Sequence, residues 1–175
     1  MDNITFRTLT KEDIECRVSQ VKNGKVQILL YKNARTDADI LDETVGAENW
    51  QDKFYECKGN LYCSVGICTE ENGWIWKDDC GSESNMEAEK GEASDAFKRA
   101  CFKWGIGRTE LYNTPPIWVK GEDSKIIKDG SKEKCYDKFI VEKIAFDEKK
   151  YPIGIAIYNA SQKKRCFVWQ KGGKA

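Results

Sequence analysis

The sequence predicts an α+β chain: an antiparallel three-strand meander packed on one long helix, followed by a β-rich C-terminal appendage. Three observations predict it. Strand-like runs follow one another between residues 50 and 80 with only short polar turns between them. An apolar stripe at the helical period then runs from Ala93 to Trp104. After the break "NTPPIW" (Asn113 to Trp118) the pattern returns to short apolar runs of strand length.

The first strand signal is "KVQILLY" (Lys25 to Tyr31), which follows the turn pair Asn23-Gly24. In "TDADILDETVG", Thr36 stands three residues before Asp39, a spacing that resembles a capping box, and Gly46 closes a short helix carrying Leu41 and Val45 inward. "WQDKFYECK" (Trp50 to Lys58) turns at Gly59-Asn60 into "LYCSVGICT" (Leu61 to Thr69). In that second run Leu61, Cys63, Val65 and Ile67 share one face, and Tyr62, Ser64 and Gly66 share the other. "ENG" (Glu71 to Gly73) turns the chain into "WIWKDDC" (Trp74 to Cys80).

The long helix follows. Ala93, Ala96, Phe97, Ala100, Cys101 and Trp104 form its stripe, the small alanines permit close approach to a sheet, and Gly105 and Gly107 end it. Residues 121–134 are charged and poorly periodic, so they are expected to form a loop or linker. "KFIVEKIAF", "IGIAIYN" and "RCFVW" predict three further strands, and the tail "KGGKA" is expected to fray.

Composition narrows the function. Lys and Arg number 29, as do Asp and Glu, so there is no global field for a polyanion and any such site must be a local patch. The N-terminus lacks a basic start followed by an apolar run, and no stretch has the length of a membrane helix. Eight cysteines without a secretory signal predict reduced thiols in the cytoplasm and no disulfide framework. A zinc site is not expected: there is no histidine and no Cys-x-x-Cys pair, and the five-residue spacing of Cys63 and Cys68 sends them to opposite strand faces.

One local patch stands out. With Phe97 and Trp104 inward, Lys98, Arg99 and Lys103 point elsewhere, and the segment from Phe97 to Arg108 holds four cations and no acid. A solvated helix face, with cations favoured near the C-terminus by the macrodipole, accounts for it. So does a phosphate-binding ridge, and helix periodicity does not choose between the two. Tyr62, Trp74 and Trp76 are suited to stacking on bases, although aromatic residues in strands more often belong to a core.

The segments "LYCSVGI", "GWIWKDDCGSES" and "EKGEASDAFKRACFKWGIGR", with weaker matches in "IECRVSQV" (Ile14 to Val21) and "VGAENWQ" (Val45 to Gln51), resemble the Rad fifty-two type of single-strand annealing protein. The likeness is to its short bacterial and phage members, including those related to the DNA damage response A proteins. It spans roughly residues 10–112, with an extra Glu110 between Thr109 and Leu111. The resemblance implies a βαβββα single-strand annealing core over residues 1–116, with residues 117–175 as a β-rich appendage and basic tail. It implies assembly into a homo-oligomeric ring or filament, in the cytoplasm of a bacterial or phage-infected cell. It implies ATP-independent annealing of single-stranded DNA in recombination and repair, with no enzymatic step and no cofactor. A single-strand binding protein is a further candidate partner. By motif position Lys98 and Arg99 match the Lys-Arg pair that contacts phosphates, and Arg17 matches a groove-lining arginine. Arg35, Lys90 and Lys103 are additional candidates, and Phe102 stands where a eukaryotic relative tends to have a basic residue.

Two rival functions compete with annealing. A passive protein that protects single strands or DNA ends would use every contact that an annealer uses. A metal-dependent nuclease would need the Glu56-x-Lys58 spacing, with Asp39 or Asp42 as the upstream acid. A phosphate-binding loop of the Gly-x-x-x-x-Gly-Lys-Ser/Thr type does not occur.

Overall fold

The structure, a computed structural model, describes residues 4–82, 88–130 and 132–173, and the side chains of residues 88–90 are outside that description. It is a mixed α+β arrangement dominated by strands, with three α-helices among the described residues. The chain divides into two compact units. The described residues of 1–8 and 32–108 form one, and those of 9–31 and 109–175 form the other.

The first unit is built on an antiparallel sheet of β3 (Trp50–Cys57), β4 (Asn60–Thr69) and β5 (Gly73–Cys80), with β4 central. The strand alternation decides its faces. Trp50, Asp52 and Phe54 stand opposite Ile67, Val65 and Cys63, and these stand opposite Ile75, Lys77 and Asp79. On that face lies α2 (Ala88–Trp104), whose Ala96, Ala100 and Cys101 are fully buried. The Trp104 indole Nε1 donates to the Val65 carbonyl at 2.9 Å, and the Phe97 ring lies 6.0 Å from that of Trp50. At the other end Gly81 allows the helix to come close, since a Cβ there would sit 2.2 Å from the Glu92 carbonyl oxygen. The Glu92 carboxylate accepts from the Leu61 amide at 3.2 Å, and Asp95 accepts from the amide and hydroxyl of Ser82.

The C-terminus of α2 is sharply made. Gly105 adopts φ +98°, its amide donates to the Phe102 carbonyl, and the Ile106 amide donates to the Cys101 carbonyl. This pair of bonds with a buried Ile106 is a Schellman closure, which the left-handed Gly105 makes accessible. The shorter α1 (Ala34–Val45) begins earlier than the Thr36–Asp39 spacing suggests. Its cap is Asn33, whose side chain accepts from the Thr36 amide at 2.9 Å, while Thr36 itself is buried inside the first turn. Gly46 does close it, with its amide on the Asp42 carbonyl.

The second unit holds a six-stranded antiparallel sheet in the order β11-β10-β9-β1-β2-β6. Its strands are β1 (Glu15–Lys22), β2 (Lys25–Tyr31), β6 (Ile117–Lys120), β9 (Phe139–Phe146), β10 (Pro152–Asn159) and β11 (Lys164–Gln170). The three C-terminal strands therefore do not stand alone: β9 pairs with β1 through Glu15 and Ile140, and β6 pairs with β2. The expected boundary after residue 116 falls inside this unit, because β1 and β2 pair with strands more than 85 residues later in the chain. Residues 121–134 are not a plain linker. They hold a hairpin of β7 (Ile126–Asp129) and β8 (Lys132–Cys135), strands too short for a period to register in the sequence. A short helix, α3 (Arg108–Tyr112), follows the Gly105 turn. Lys174 and Ala175 of the tail lie outside the described residues.

No helix among the described residues is long and apolar enough to cross a membrane. All eight cysteines are free, and Cys63, Cys101 and Cys135 are buried, with burial pushing the Cys63 thiol up to about 12. No group of three or more His, Cys, Asp or Glu residues among the described residues is arranged to hold a metal.

Candidate nucleic-acid interface

The adjacent residues Lys98 and Arg99 are turned about 100° apart by the helix, so they meet different neighbours. Arg99 and Lys103 lie toward β5. The Arg99 Nη2 sits 3.4 Å from Asp79 Oδ1 and the Lys103 ammonium 3.7 Å from Asp79 Oδ2. Lys103 also donates to the Asp78 carbonyl. These cations keep 43% and 50% of their side-chain surface and Asp79 keeps 20%, so this is a surface network. The run of four cations without an acid is thus partly neutralised in space, by a carboxylate that the neighbouring strand supplies.

Lys98 is half-buried, enters no ion pair among the described residues and lies on the α1 side, within electrostatic range of Lys32 and Asp37. Those two form a buried ion pair, 1% and 0% exposed, with the Lys32 ammonium donating to Asp37 Oδ1 and lying 4.2 Å from the centre of the Phe102 ring. Burial pushes Asp37 up to about 6 and Lys32 down, and the mutual charge attraction and hydrogen bond oppose both shifts. Phe102, the departure from a basic residue, therefore serves as the wall over a buried lysine.

The remaining candidates separate. Arg35 is exposed in the first turn of α1 and enters no ion pair among the described residues. Lys90 belongs to α2 by its backbone, and its side chain lies outside the described residues. Arg17 is on the second unit, exposed on β1, with its guanidinium 5.9 Å from the centre of the Tyr31 ring; the Tyr31 hydroxyl donates to Glu15 at 2.6 Å. Within the first unit the structure gathers Lys98, Arg99 and Lys103 on α2, and Arg17 belongs to a different sheet.

Sequence reading missed three further cations. Lys77 lies 4.2 Å from the centre of the Trp104 ring and donates to the Lys103 carbonyl at 3.1 Å, anchoring the end of α2. Lys53 lies 4.1 Å from the centre of the Trp76 ring. Lys32 had a signal: Val26, Ile28, Leu30 and Lys32 continue one period-two series, whose first two members are buried. Of the nuclease candidates, Asp42 is occupied in accepting from the Trp50 indole at 2.6 Å, and Glu56 and Lys58 are exposed at the β3–β4 turn.

No curated protein and no solved structure matches the chain. Residues 54–129 do match a family model, and they contain most of the meander and all of α2 with Lys98, Arg99 and Lys103, while Arg17 and Arg35 fall before them. That model is the Rad52/22 family double-strand break repair protein, to which this segment of the chain is similar.

Proposed function

We infer that the chain binds single-stranded DNA through the cationic flanks of α2 and anneals complementary strands in recombination and repair. It does so without ATP and without breaking a bond, as a homo-oligomeric ring or filament in the cytoplasm of a bacterial or phage-infected cell. The observation that carries this reading is the position of Arg99 and Lys103. They stand exposed on a helix locked to its sheet at both ends, inside the segment that matches the double-strand break repair family.

Annealing needs strands that are neutralised and held while register is sampled. A weak surface carboxylate such as Asp79 suits that task, because a phosphate can take its place on Arg99 and Lys103 at little cost. Lys98 and Lys90 extend the phosphate track on α2, Arg35 adds to it from α1, and Arg17 is a phosphate contact on the second unit. Many such contacts repeated around an oligomer give tight, salt-sensitive binding.

The test is the pairing rate of two labelled complementary strands with ATP absent and metals chelated. The expected result is a rate well above the spontaneous one. Tight binding without acceleration would make the chain a protective binder, and no binding would return the α2 cations to solvation.

A further inference from the structure

The face of the β3–β4–β5 sheet turned away from α2 differs in kind from the face beneath it. Every Leu, Ile and Val of the three strands lies on the helix side or at its margin. The outward series contains none; it is made of aromatic rings, polar groups, one lysine, Gly66 and the cysteines Cys57, Cys68 and Cys80. The rings come as two stacked pairs: Tyr55 on Tyr62 with centres 5.4 Å apart, and Trp74 on Trp76 at 5.8 Å. Tyr55 and Trp74 remain 42% and 41% exposed. The seat of Trp76 is prepared by Gly66, where a Cβ would meet the indole at 2.7 Å, so the ring lies flat on the central strand. Lys53 stands over that ring, and the Ser64 hydroxyl donates to Asp78 between the two pairs.

We propose that this outward face is a base-stacking platform for single-stranded nucleic acid, with Trp74 and Tyr55 as the rings that receive bases and Lys53 as the phosphate partner beside them. The inference rests on the single-strand binding reading above and adds a second kind of contact to it. Aromatic π-faces accept any base, which suits a binder without sequence preference. Tyr62 and Gly66, which seat the two pairs, are four residues apart on β4, about 13 Å at the strand rise, so each pair addresses a separate base. A second copy of the chain is the competing occupant. A stable interface between copies has an apolar, charge-depleted core, and this face offers no aliphatic side chain and places Lys53 and Asp78 near its middle.

The experiment compares a short oligothymidylate with an abasic chain of the same length, measuring affinity for the intact protein at one salt concentration. The platform predicts that the base-bearing strand binds about tenfold tighter, as one good stacking contact would give. It also predicts quenched tryptophan emission on binding. Trp74→Ala should shrink the difference between the two affinities while leaving the abasic affinity unchanged, and Tyr55→Ala, on the other ring pair, should shrink it likewise if Trp74→Ala fails to fold. Equal affinities in the unmodified protein would overturn the platform and leave the phosphate reading standing. Failure of both polymers to bind would overturn both. If either variant dissolved an oligomer in sedimentation while the base preference stayed, the face would belong to a second copy and the platform would fall.

Discussion

The two flanks of α2 carry the same chemistry in opposite settings. Toward α1, Lys32 and Asp37 are paired with almost no exposed surface; toward β5, Arg99 and Lys103 share Asp79 in contact with solvent. In the buried pair each charge has lost its water, so each depends on the other. In the surface network water competes at every step, and the attraction is worth roughly 0–1 kcal/mol. The difference separates architecture from the proposed ligand binding: the buried cation cannot leave its carboxylate, whereas a surface pair is weak enough for the exchange with phosphate that the proposal requires.

The largest expected effect comes from breaking the buried side. Asp37→Asn leaves the Lys32 ammonium enclosed against Phe102 without a counter-charge, and it should cost about 3–5 kcal/mol in chemical denaturation. Replacing both partners, Lys32→Met with Asp37→Leu, should recover most of that loss. A single variant as stable as the unmodified protein would show that the pair is open to water, and the contrast between the flanks would vanish.

A smaller effect tests the wedge between the flanks. Ala96 is fully buried against the sheet, so Ala96→Trp should cost about 1–3 kcal/mol or prevent folding. A soluble variant melting cooperatively at the unmodified temperature would mean that α2 does not lie on β4 as described. This packing was legible in the sequence because it is periodic: the stripe from Ala93 to Trp104 and the alternation of β4 each repeat within one element. The partners were not legible. Asp79 stands twenty residues before Arg99, and nothing local in "KRACFK" announces it. The same holds for β1 and β2, whose strand character is readable but whose partners β9 and β6 lie far along the chain. The outward aromatic rings were visible as residues, and only the strand register revealed that no aliphatic side chain accompanies them. Period-two reading did reach Lys32, but a lysine in a buried series looks like the end of a strand until Asp37 is placed beside it.

For the cations of α2, Lys98 toward α1 and Arg99 toward β5, the expected changes are in binding. Lys98→Ala with Arg99→Ala should weaken single-strand affinity and reduce the slope of log affinity against log salt by about 0.7 for each phosphate no longer neutralised. Stability should stay within about 1 kcal/mol, since the Arg99–Asp79 pair lies at the surface and Lys98 enters no ion pair among the described residues. An unchanged slope would mean that neither residue meets a phosphate, whatever the affinity.

The smallest effect is the most discriminating, because its sign is opposite to that of ordinary damage. Asp79→Asn removes the carboxylate that Arg99 and Lys103 share, while the Asp78 carbonyl and the Trp104 anchor keep α2 in place. If Asp79 only occupies these cations until DNA arrives, its removal should raise single-strand affinity about two- to fivefold, in line with a surface pair worth less than about 1 kcal/mol. The gain should be largest at low salt, where the competing carboxylate is least screened. Should the carboxylate instead orient Arg99 toward the phosphate, Asp79→Asn would lower affinity. The cations would then be a preorganised pair and not an exchangeable one. Lower affinity would leave the buried flank unaffected, but it would end the division between a fixed side and an exchangeable side of the same helix.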